Sequence, residues 1–264
     1  KRIRRLNSRS MHIPVLQKEV LQYLDPKTNE NFIDCTFGEG GHALAILEKN
    51  GPEGKILGID LSLKPEVKSS KRLILTRDNF ANLKEVVKKY KFKPVNGILF
   101  DLGMSSWHLE ESGRGFTFQK KEPLDMRYGL ENQLTAEKIV NYWSRFDIER
   151  ILKEYGEEKF ARSIAENIIE TRKDRIIKDT FQLVEIIKQS VRGRPACRRG
   201  RQKIHPATRT FQALRIAVND ELSNLNKALP QALDILQSGS KLVVISFHSL
   251  EDRIVKNFFK KEKE

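Results

Sequence analysis

Three aspartates occupy positions at which an α/β protein places its chemistry. Asp34, Asp60 and Asp101 each end a short apolar segment that we predict to be a strand. Open parallel sheets bind ligands at the carboxyl ends of their strands, close to the point where the strand order reverses. We therefore expect the three carboxylates to lie along one edge of a sheet, where they can accept hydrogen bonds or face a cationic group.

Glycines follow the first of these aspartates. Gly38, Gly40 and Gly41 precede His42, with a spacing that differs from the G-x-G-x-x-G of dinucleotide-binding loops. They let the backbone approach a ligand, or simply make a tight turn between strand and helix. Asp60 can accept hydrogen bonds from a ribose, or cap a helix. Acids after all three strands favour S-adenosylmethionine, a sulfonium without pyrophosphate, over a dinucleotide.

The elements that must position these residues alternate along the first 101 residues. Apolar patterning predicts strands at residues 31–36, 55–60, 73–75 and 95–101, and helices at residues 15–24, 42–49 and 80–90. This β-α-β alternation predicts a parallel, doubly wound sheet with right-handed crossovers.

The alternation stops after residue 101. Residues 102–134 are rich in loop-forming residues, and helical patterns follow at residues 135–143, 147–155, 157–172, 179–191 and 208–229. A strand at 241–246 and a helix at 250–260 then return to the sheet pattern. We predict a sheet domain of residues 11–109 and 207–264, interrupted by a helical domain of residues 110–206 and preceded by a basic extension, residues 1–10.

Composition limits the classes of protein and partner. The 264 residues carry 49 Lys and Arg against 35 Asp and Glu, a net charge of +14, which favours a polyanionic partner. Collagen, coiled coil and wholesale disorder are excluded. No apolar run reaches the ~20 residues of a membrane span. Two cysteines make neither a disulfide framework nor a zinc site, so we expect a reducing compartment, the cytoplasm.

Two segments concentrate the positive charge. Residues 1–10 hold five basic residues and no acid, which also fits an upstream extension or an organellar targeting remnant, with Met11 as a more natural start. Residues 192–203 hold six basic residues and no acid, and their arginines include Arg198, Arg199 and Arg201. Such a loop either tracks RNA phosphates or is solvated surface.

Eight motifs in register resemble those of the RsmH (MraW) family, from residue 11 almost to the end of the chain. They are Met11-His-Ile-Pro-Val-Leu16, Cys35-Thr-Phe-Gly-Glu-Gly-Gly-His42, Asp101-Leu-Gly-Met-Ser-Ser106, Arg114-Gly-Phe-Thr-Phe118, Pro123-Leu-Asp-Met-Arg127, Tyr155-Gly-Glu-Glu-Lys-Phe-Ala161, His205-Pro-Ala-Thr-Arg-Thr-Phe-Gln-Ala-Leu-Arg215 and Ser246-Phe-His-Ser-Leu-Glu-Asp-Arg253.

The resemblance implies a Rossmann-like class I methyltransferase domain with an inserted small all-helical domain. It implies transfer of a methyl group from S-adenosylmethionine to the N4 amine of a cytidine in the decoding region of small-subunit (16S) rRNA. The substrate would be an assembled or nearly assembled 30S particle, with no membrane and no obligate protein partner. The residues it places at the cofactor are Gly40, Gly41, His42, Asp60, Phe80 and Asp101, to which we add Gly38 and His108.

The sequence departs from the family pattern in four places. Ser62 stands where the family has a second acid, and residues 61–72 form a shorter stretch than usual. His108 stands where a Gln is common, which puts that cofactor contact in doubt. The chain ends at Glu264 without the Arg- and Ser-rich tail and last strand of the family, so either the protein is short or the sequence is part of a longer one.

The catalytic candidates are acids and histidines, and we expect no metal in the chemistry. Asp101 is the first candidate to accept a hydrogen bond from the cytosine amine, although it can equally serve the cofactor alone. Asp125 is the second, with an ion pair to Arg127 as the alternative. His205 and His248 are further candidates, each with a structural role as the alternative.

Aromatic and basic residues are candidates for RNA contacts. Trp107, Phe116 and Phe118 can stack on an extruded base or anchor the inserted domain. Arg127 and Arg209 are expected to contact RNA, while Arg209, like Arg215, can also pair with acids of the core.

Three other functions remain open. A DNA amino-methyltransferase usually has Asp/Asn-Pro-Pro-Tyr/Phe after the fourth strand, where this chain has Asp101-Leu-Gly-Met104. An rRNA-binding assembly factor with a vestigial cofactor fold would explain the shortened stretch and His108. A nucleotide-dependent oxidoreductase is more distant, and cofactor titration would distinguish it.

Overall fold

The computed structural model of the chain describes residues 14–63, 68–192 and 204–263. It divides into two compact units, here called the sheet unit (Lys1–Gly103 with Ser223–Glu264) and the helical unit (Met104–Leu222). The predicted domain assignment stays a prediction. Residues 1–10 and the arginines Arg198, Arg199 and Arg201 lie outside the described residues.

The sheet unit contains a five-stranded sheet. Its strands are β1 (Phe32–Asp34), β2 (Ile56–Ile59), β3 (Leu73–Thr76), β4 (Gly97–Asp101) and β5 (Lys241–Ile245). They lie in the order β3-β2-β1-β4-β5, and every neighbouring pair is parallel. The predicted parallel α/β sheet is confirmed, and its order reverses between β1 and β4, the place where such sheets bind ligands.

Helices cover both faces of this sheet. They are α1 (Gln17–Leu24), α2 (Gly41–Lys49), α3 (Leu83–Lys89), α10 (Glu221–Ile235) and α11 (Ser249–Lys263), and a 3₁₀ turn at Phe80–Asn82 precedes α3. Successive residues of a strand point to opposite faces. Phe32 therefore packs with residues of α1 and α2, and Ile33 packs with residues of α3 and α10.

The helical unit has a hydrophobic core of its own. It comprises α4 (Ser106–Glu110), α5 (Ala136–Tyr142), α6 (Arg145–Glu154), α7 (Ala161–Asp174), α8 (Thr180–Val191) and α9 (Thr208–Asn219). Side chains of Thr135, Ser144 and Asp179 accept hydrogen bonds from the first turns of α5, α6 and α8. These caps fix where the helices begin. None of the described helices is long and apolar enough to cross a membrane.

Two predicted helices need correction. The helix predicted at residues 208–229 is wrong as a single element, because Asp220 adopts a left-handed conformation (φ +50°) and separates α9 from α10. The helix predicted at residues 80–90 begins as the 3₁₀ turn, since the Asn79 side chain accepts a hydrogen bond from the Ala81 N–H. Within the stretch 102–134, predicted as loop, the structure has α4.

Candidate functional site

The loop between β1 and α2 is shaped by a glycine that no other residue can replace without strain. Gly40 has φ +82°, and a Cβ there would lie 2.6 Å from the ring of Phe37. Its N–H donates to the carbonyl of Phe37 over 2.7 Å, which closes the turn. Gly38 also has positive φ, +53°. Gly40 itself is buried, and the geometry is that of the tight turn between strand and helix, while close approach of a ligand to this backbone stays a prediction.

Asp60 ties the end of β2 to this loop. Its Oδ2 accepts a hydrogen bond from the N–H of Gly38 at 2.7 Å. Its Oδ1 accepts from the N–H and the hydroxyl of Ser62, at 2.7 and 2.6 Å. Ser62, which stands where the family pattern has an acid, thus supplies donors to Asp60. Each carboxylate oxygen can accept more than one hydrogen bond, so Asp60 retains capacity for ribose hydroxyls.

Asp101 and His42 meet at the same edge. The Asp101 N–H donates to the Thr36 hydroxyl at 2.7 Å, which fixes the end of β4 beside β1. The Asp101 Oδ2 lies 3.5 Å from His42 Nε2, and the two side chains are 23% and 6% exposed. Within the described part of the chain, neither ring nitrogen of His42 nor Asp101 Oδ1 has a hydrogen-bond partner. Buried polar atoms rarely lack partners in native proteins, so these atoms are candidates to bind a ligand.

Asp34 is a fourth ionisable group at this edge, where the sequence analysis expects it, but its burial was not predicted. It ends β1 and is 1% exposed. Burial raises the pKa of Asp34 to about 7, and the charges of Asp101 and Asp60 act in the same direction, while His42 and the Thr36 N–H oppose them. The apolar run before Asp34 was the signal that could have predicted this burial.

Phe80 closes the adenosine side of the predicted site. It opens the 3₁₀ turn after β3, and its ring meets that of Phe100 edge to face with centroids 5.6 Å apart. Phe80 is half-buried, whereas Phe100 is fully buried in β4. Phe80 therefore offers an apolar surface at the end of β3, where an aromatic ligand can pack.

The chemistry of these residues matches that of a nucleoside ligand that carries a positive charge. The sheet unit brings together the predicted residues Gly38, Gly40, Gly41, His42, Asp60, Phe80 and Asp101. A glycine loop, a carboxylate after β2, an aromatic surface after β3 and unpartnered polar atoms beside β4 fit S-adenosylmethionine. The Cys35 thiol is no rival nucleophile, because it is buried and its burial raises its pKa.

Comparison with known proteins identifies the family of the chain. The model of the MraW methylase family matches residues 9–264. The chain belongs to the MraW methylase family.

Three of its relatives carry the same name. A "Ribosomal RNA small subunit methyltransferase H" from Dehalococcoides mccartyi (strain ATCC BAA-2266 / KCTC 15142 / 195) is 48% identical over 95% of this chain and 71% of its own length. Proteins of that name from Heliobacterium mobile and Thermosipho melanesiensis (strain DSM 12029 / CIP 104789 / BI429) are 46% and 44% identical, each over 94% of this chain. They are covered over 81% and 85% of their own lengths. Membership makes the sheet unit a Rossmann-like class I methyltransferase fold.

In this MraW family member, Asp125 and Arg127 form a bidentate ion pair within the helical unit. Arg127 Nε and Nη2 donate to the two carboxylate oxygens of Asp125 at 2.7 and 2.9 Å. Burial alone would raise the pKa of Asp125, but the hydrogen bonds and charge of Arg127 outweigh it and the pKa lies below its ordinary value. This geometry matches the alternative role that the sequence analysis gave to Asp125, an ion pair with Arg127. The catalytic role of Asp125 and the RNA contact of Arg127 stay predictions.

His108 is a buried residue of the helical unit. It is 4% exposed, and its Nδ1 lies 2.8 Å from the Ser105 hydroxyl in a capping arrangement at the start of α4. Its ring packs edge to face against Phe116 and Tyr128, with centroids 4.9 and 5.0 Å apart. Its predicted cofactor contact stays a prediction, and what the structure shows is a core residue that caps a helix.

The other predicted aromatic and basic residues largely have partners of their own. Phe116 is 5% exposed in the core of the helical unit, so stacking on a base is wrong for it in this conformation. Phe118 stacks on His205 with ring centroids 4.6 Å apart. Burial, together with the positive charge of Lys188, lowers the pKa of His205. Arg209 donates to the carbonyl of Glu157 at 3.0 Å.

Arg215 and His248 both face acids. Arg215 makes a bidentate pair with Glu221 at 2.8 and 2.9 Å, as the core-acid alternative predicted. His248 Nε2 lies 3.2 Å from Glu251 Oε1 at the start of α11. Its catalytic role stays a prediction.

Proposed function

We propose that this protein transfers a methyl group from S-adenosylmethionine to the N4 amine of a cytidine in the decoding region of small-subunit (16S) rRNA. The observation that carries the proposal is the Asp101–His42 pair, whose buried polar atoms have no hydrogen-bond partner within the described part of the chain. Membership of a methylase family and relatives named as small-subunit rRNA methyltransferases support it. The substrate is an assembled or nearly assembled 30S particle in the cytoplasm.

Different residues of the sheet unit bind different parts of S-adenosylmethionine. The Gly38–Gly41 loop admits the cofactor close to the backbone, Asp60 accepts from the ribose hydroxyls, and Phe80 packs against the adenine. His42 and Asp101 face the methionine end, where Asp101 offsets the sulfonium charge. When bound, adenosylmethionine would supply an electrophilic methyl carbon, with neutral S-adenosylhomocysteine as the leaving group.

Asp101 also orients the nucleophile. The N4 lone pair of cytosine is conjugated with the ring, so the amine attacks only once it pyramidalises. The Asp101 carboxylate favours this geometry by accepting one amine hydrogen bond, and afterwards takes the proton that the amine loses or passes it to water. Holding two reactants in one pose accounts for about 7–11 kcal/mol of the acceleration, so no strong base is needed.

The decisive experiment is transfer of a labelled methyl group to small subunits from a strain that lacks this methylation, with the product identified by nucleoside mass spectrometry. The wild-type protein is expected to produce N4-methylcytidine, and Asp101→Asn to lose at least 10²-fold in rate. Asp234→Asn is the matched control, since Asp234 is 57% exposed and pairs with Lys84 on the surface. A wild-type protein that binds adenosylmethionine but methylates no subunit cytidine would reject the proposed substrate.

A further inference from the structure

Phe247 is an exposed aromatic residue at the edge of the sheet that carries the candidate site. In the parallel register of β4 and β5, Asp101 lies opposite Ile245. Phe247 follows Ile245 by two residues, and it is 56% exposed. What distinguishes Phe247 from other exposed aromatic residues is its position just beyond the register partner of Asp101, at the carboxyl edge where parallel sheets bind ligands.

The ring of Phe247 rests against the segment that leaves Asp101. Gly103 follows Asp101 by two residues and has φ +97°. A Cβ at Gly103 would lie 3.5 Å from Cδ2 of Phe247, which places the ring directly beside the glycine backbone. Since Gly103 carries no side chain, the ring can lie this close to the backbone.

The backbone of Phe247 is held in place. Its N–H donates to Glu251 Oε2 at 2.9 Å, and Glu251 is only 3% exposed. On the strand side, the Leu102 N–H donates to the carbonyl of Ile245 at 3.0 Å. The loop between β5 and α11 therefore presents the ring from a fixed position, which lowers the entropic cost of binding against it.

We infer that Phe247 is the stacking surface for the target cytosine during methyl transfer. The inference rests on the proposed function, because an amine can reach the methyl group only if its base leaves the RNA stack. Stacking on an aromatic side chain offsets the lost base stacking. Phe116 is buried in the helical unit and Phe118 is stacked on His205, so Phe247 supplies the surface that neither of them offers.

Stacking fixes the position of a base without reading its identity, since every base has an aromatic face. Phe247 is therefore expected to affect the rate of methylation and leave the choice of cytidine unchanged. Phe247 follows β5, whereas the glycine loop follows β1 and Asp60 follows β2, so cofactor affinity is expected to be independent of Phe247.

The test compares Phe247→Ala, Phe247→Leu, Phe247→Tyr and Phe247→Trp in methyl transfer to small subunits lacking the modification. Loss of one base–aromatic stack predicts a rate reduced about 5- to 150-fold for the Ala variant. The Leu variant is expected to be similarly slow, because its side chain is apolar without a π face. The Tyr and Trp variants are expected to remain within a few-fold of wild type.

Phe259→Ala is the matched control, because Phe259 is also an exposed phenylalanine, 41% exposed, on α11 of the same unit. Thermal unfolding and adenosylmethionine affinity are measured for every variant and are expected to match wild type. A Phe247→Ala protein that methylates at the wild-type rate, or a Leu variant as active as the Tyr variant, overturns the inference while leaving the proposed function standing. Absence of transfer by the wild-type protein counts against both.

Discussion

Asp34 is a carboxyl group that the fold buries among other ionisable groups. It is 1% exposed, with His42, Asp101 and Asp60 acting on its charge. Because burial raises its pKa to about 7 in the folded protein, Asp34 keeps its proton at a pH where the unfolded chain, with an ordinary value near 3.9, has lost it. Between about pH 4 and 7 the folded state binds more protons, so this residue makes stability fall as pH rises.

Asp34→Asn is expected to remove that pH dependence. The amide cannot ionise, and its oxygen can still accept the hydrogen bond that Asp34 Oδ1 takes from Thr36. The melting temperature of the variant relative to wild type is therefore expected to rise steadily from pH 5 to pH 7.5, by about 2–4 °C for each 1 kcal/mol gained. Thermal unfolding across that range measures it, and a difference that stays constant with pH would show that Asp34 is ionised throughout.

The glycine loop between β1 and α2 yields a second prediction. Gly40→Ala places a Cβ 2.6 Å from the Phe37 ring, so the ring or the loop must shift. Adenosylmethionine affinity is expected to fall about 10-fold or more, since small displacements at a reacting site are costly. Gly239→Ala is the control, because Gly239 has nearly the same φ, +80°, with nothing within 4 Å of the added Cβ.

Calorimetric titration of the two glycine variants with adenosylmethionine distinguishes the effect of backbone strain, which both variants have, from the effect of the steric clash, which only Gly40→Ala has. Gly239→Ala is expected to lose about 1–2 kcal/mol of folding stability, because alanine must adopt the left-handed conformation there. Its affinity for adenosylmethionine is expected to match that of wild type. Equal loss of affinity in both variants would mean that the Gly40 turn does not shape the binding site.

The junction of α9 and α10 depends on a buried ion pair. Arg215 and Glu221 side chains are 10% and 11% exposed and make two charged hydrogen bonds. Arg215→Met leaves the acid in a poorly solvated place and is expected to reduce the unfolding free energy by about 3–5 kcal/mol. Arg150→Met, at a residue 51% exposed whose ion pairs are 3.6 Å long, is expected to cost less than about 1 kcal/mol. Denaturant unfolding of the two variants tests the contrast, which similar losses would contradict.

Helices and strands were predictable from the sequence where a local pattern of apolar residues determines them. The apolar runs that end in Asp34, Asp60 and Asp101 predicted the strands and the edge at which these acids lie. The break at Asp220 was not predictable, because the apolar pattern continues across it and an aspartate carries no strong helix-stop signal. The partners of Asp125 and His108 depend on contacts within the helical unit, and residue type alone left their roles open.

The positive charge of the molecule is of two kinds: basic side chains that pair with nearby carboxylates, and segments of basic residues that contain no acid. Many described lysines have a carboxylate partner one helical turn away, as Lys153, Lys173 and Lys188 do with Glu149, Glu170 and Glu185 at 2.6, 2.6 and 3.0 Å. Residues 192–203, by contrast, contain six basic residues and no acid within a chain of net charge +14. Together with residues 1–10, which hold five basic residues and no acid, that segment carries much of the unbalanced positive charge, and its contact with RNA stays a prediction.

The last prediction separates local phosphate binding from total charge. Replacing Arg198, Arg199 and Arg201 by Ala is expected to weaken RNA binding and to reduce the slope of log affinity against log salt by about 0.7–0.9 for each RNA phosphate that an arginine no longer neutralises. The control replaces Lys153, Lys173 and Lys188 by Ala, which removes the same charge from residues already paired within the protein. Fluorescence titration of small-subunit rRNA at several salt concentrations measures both slopes. Equal slopes for the two triple variants would show that RNA responds only to net charge, whereas a reduction confined to the arginine variant assigns phosphate binding to residues 198–201.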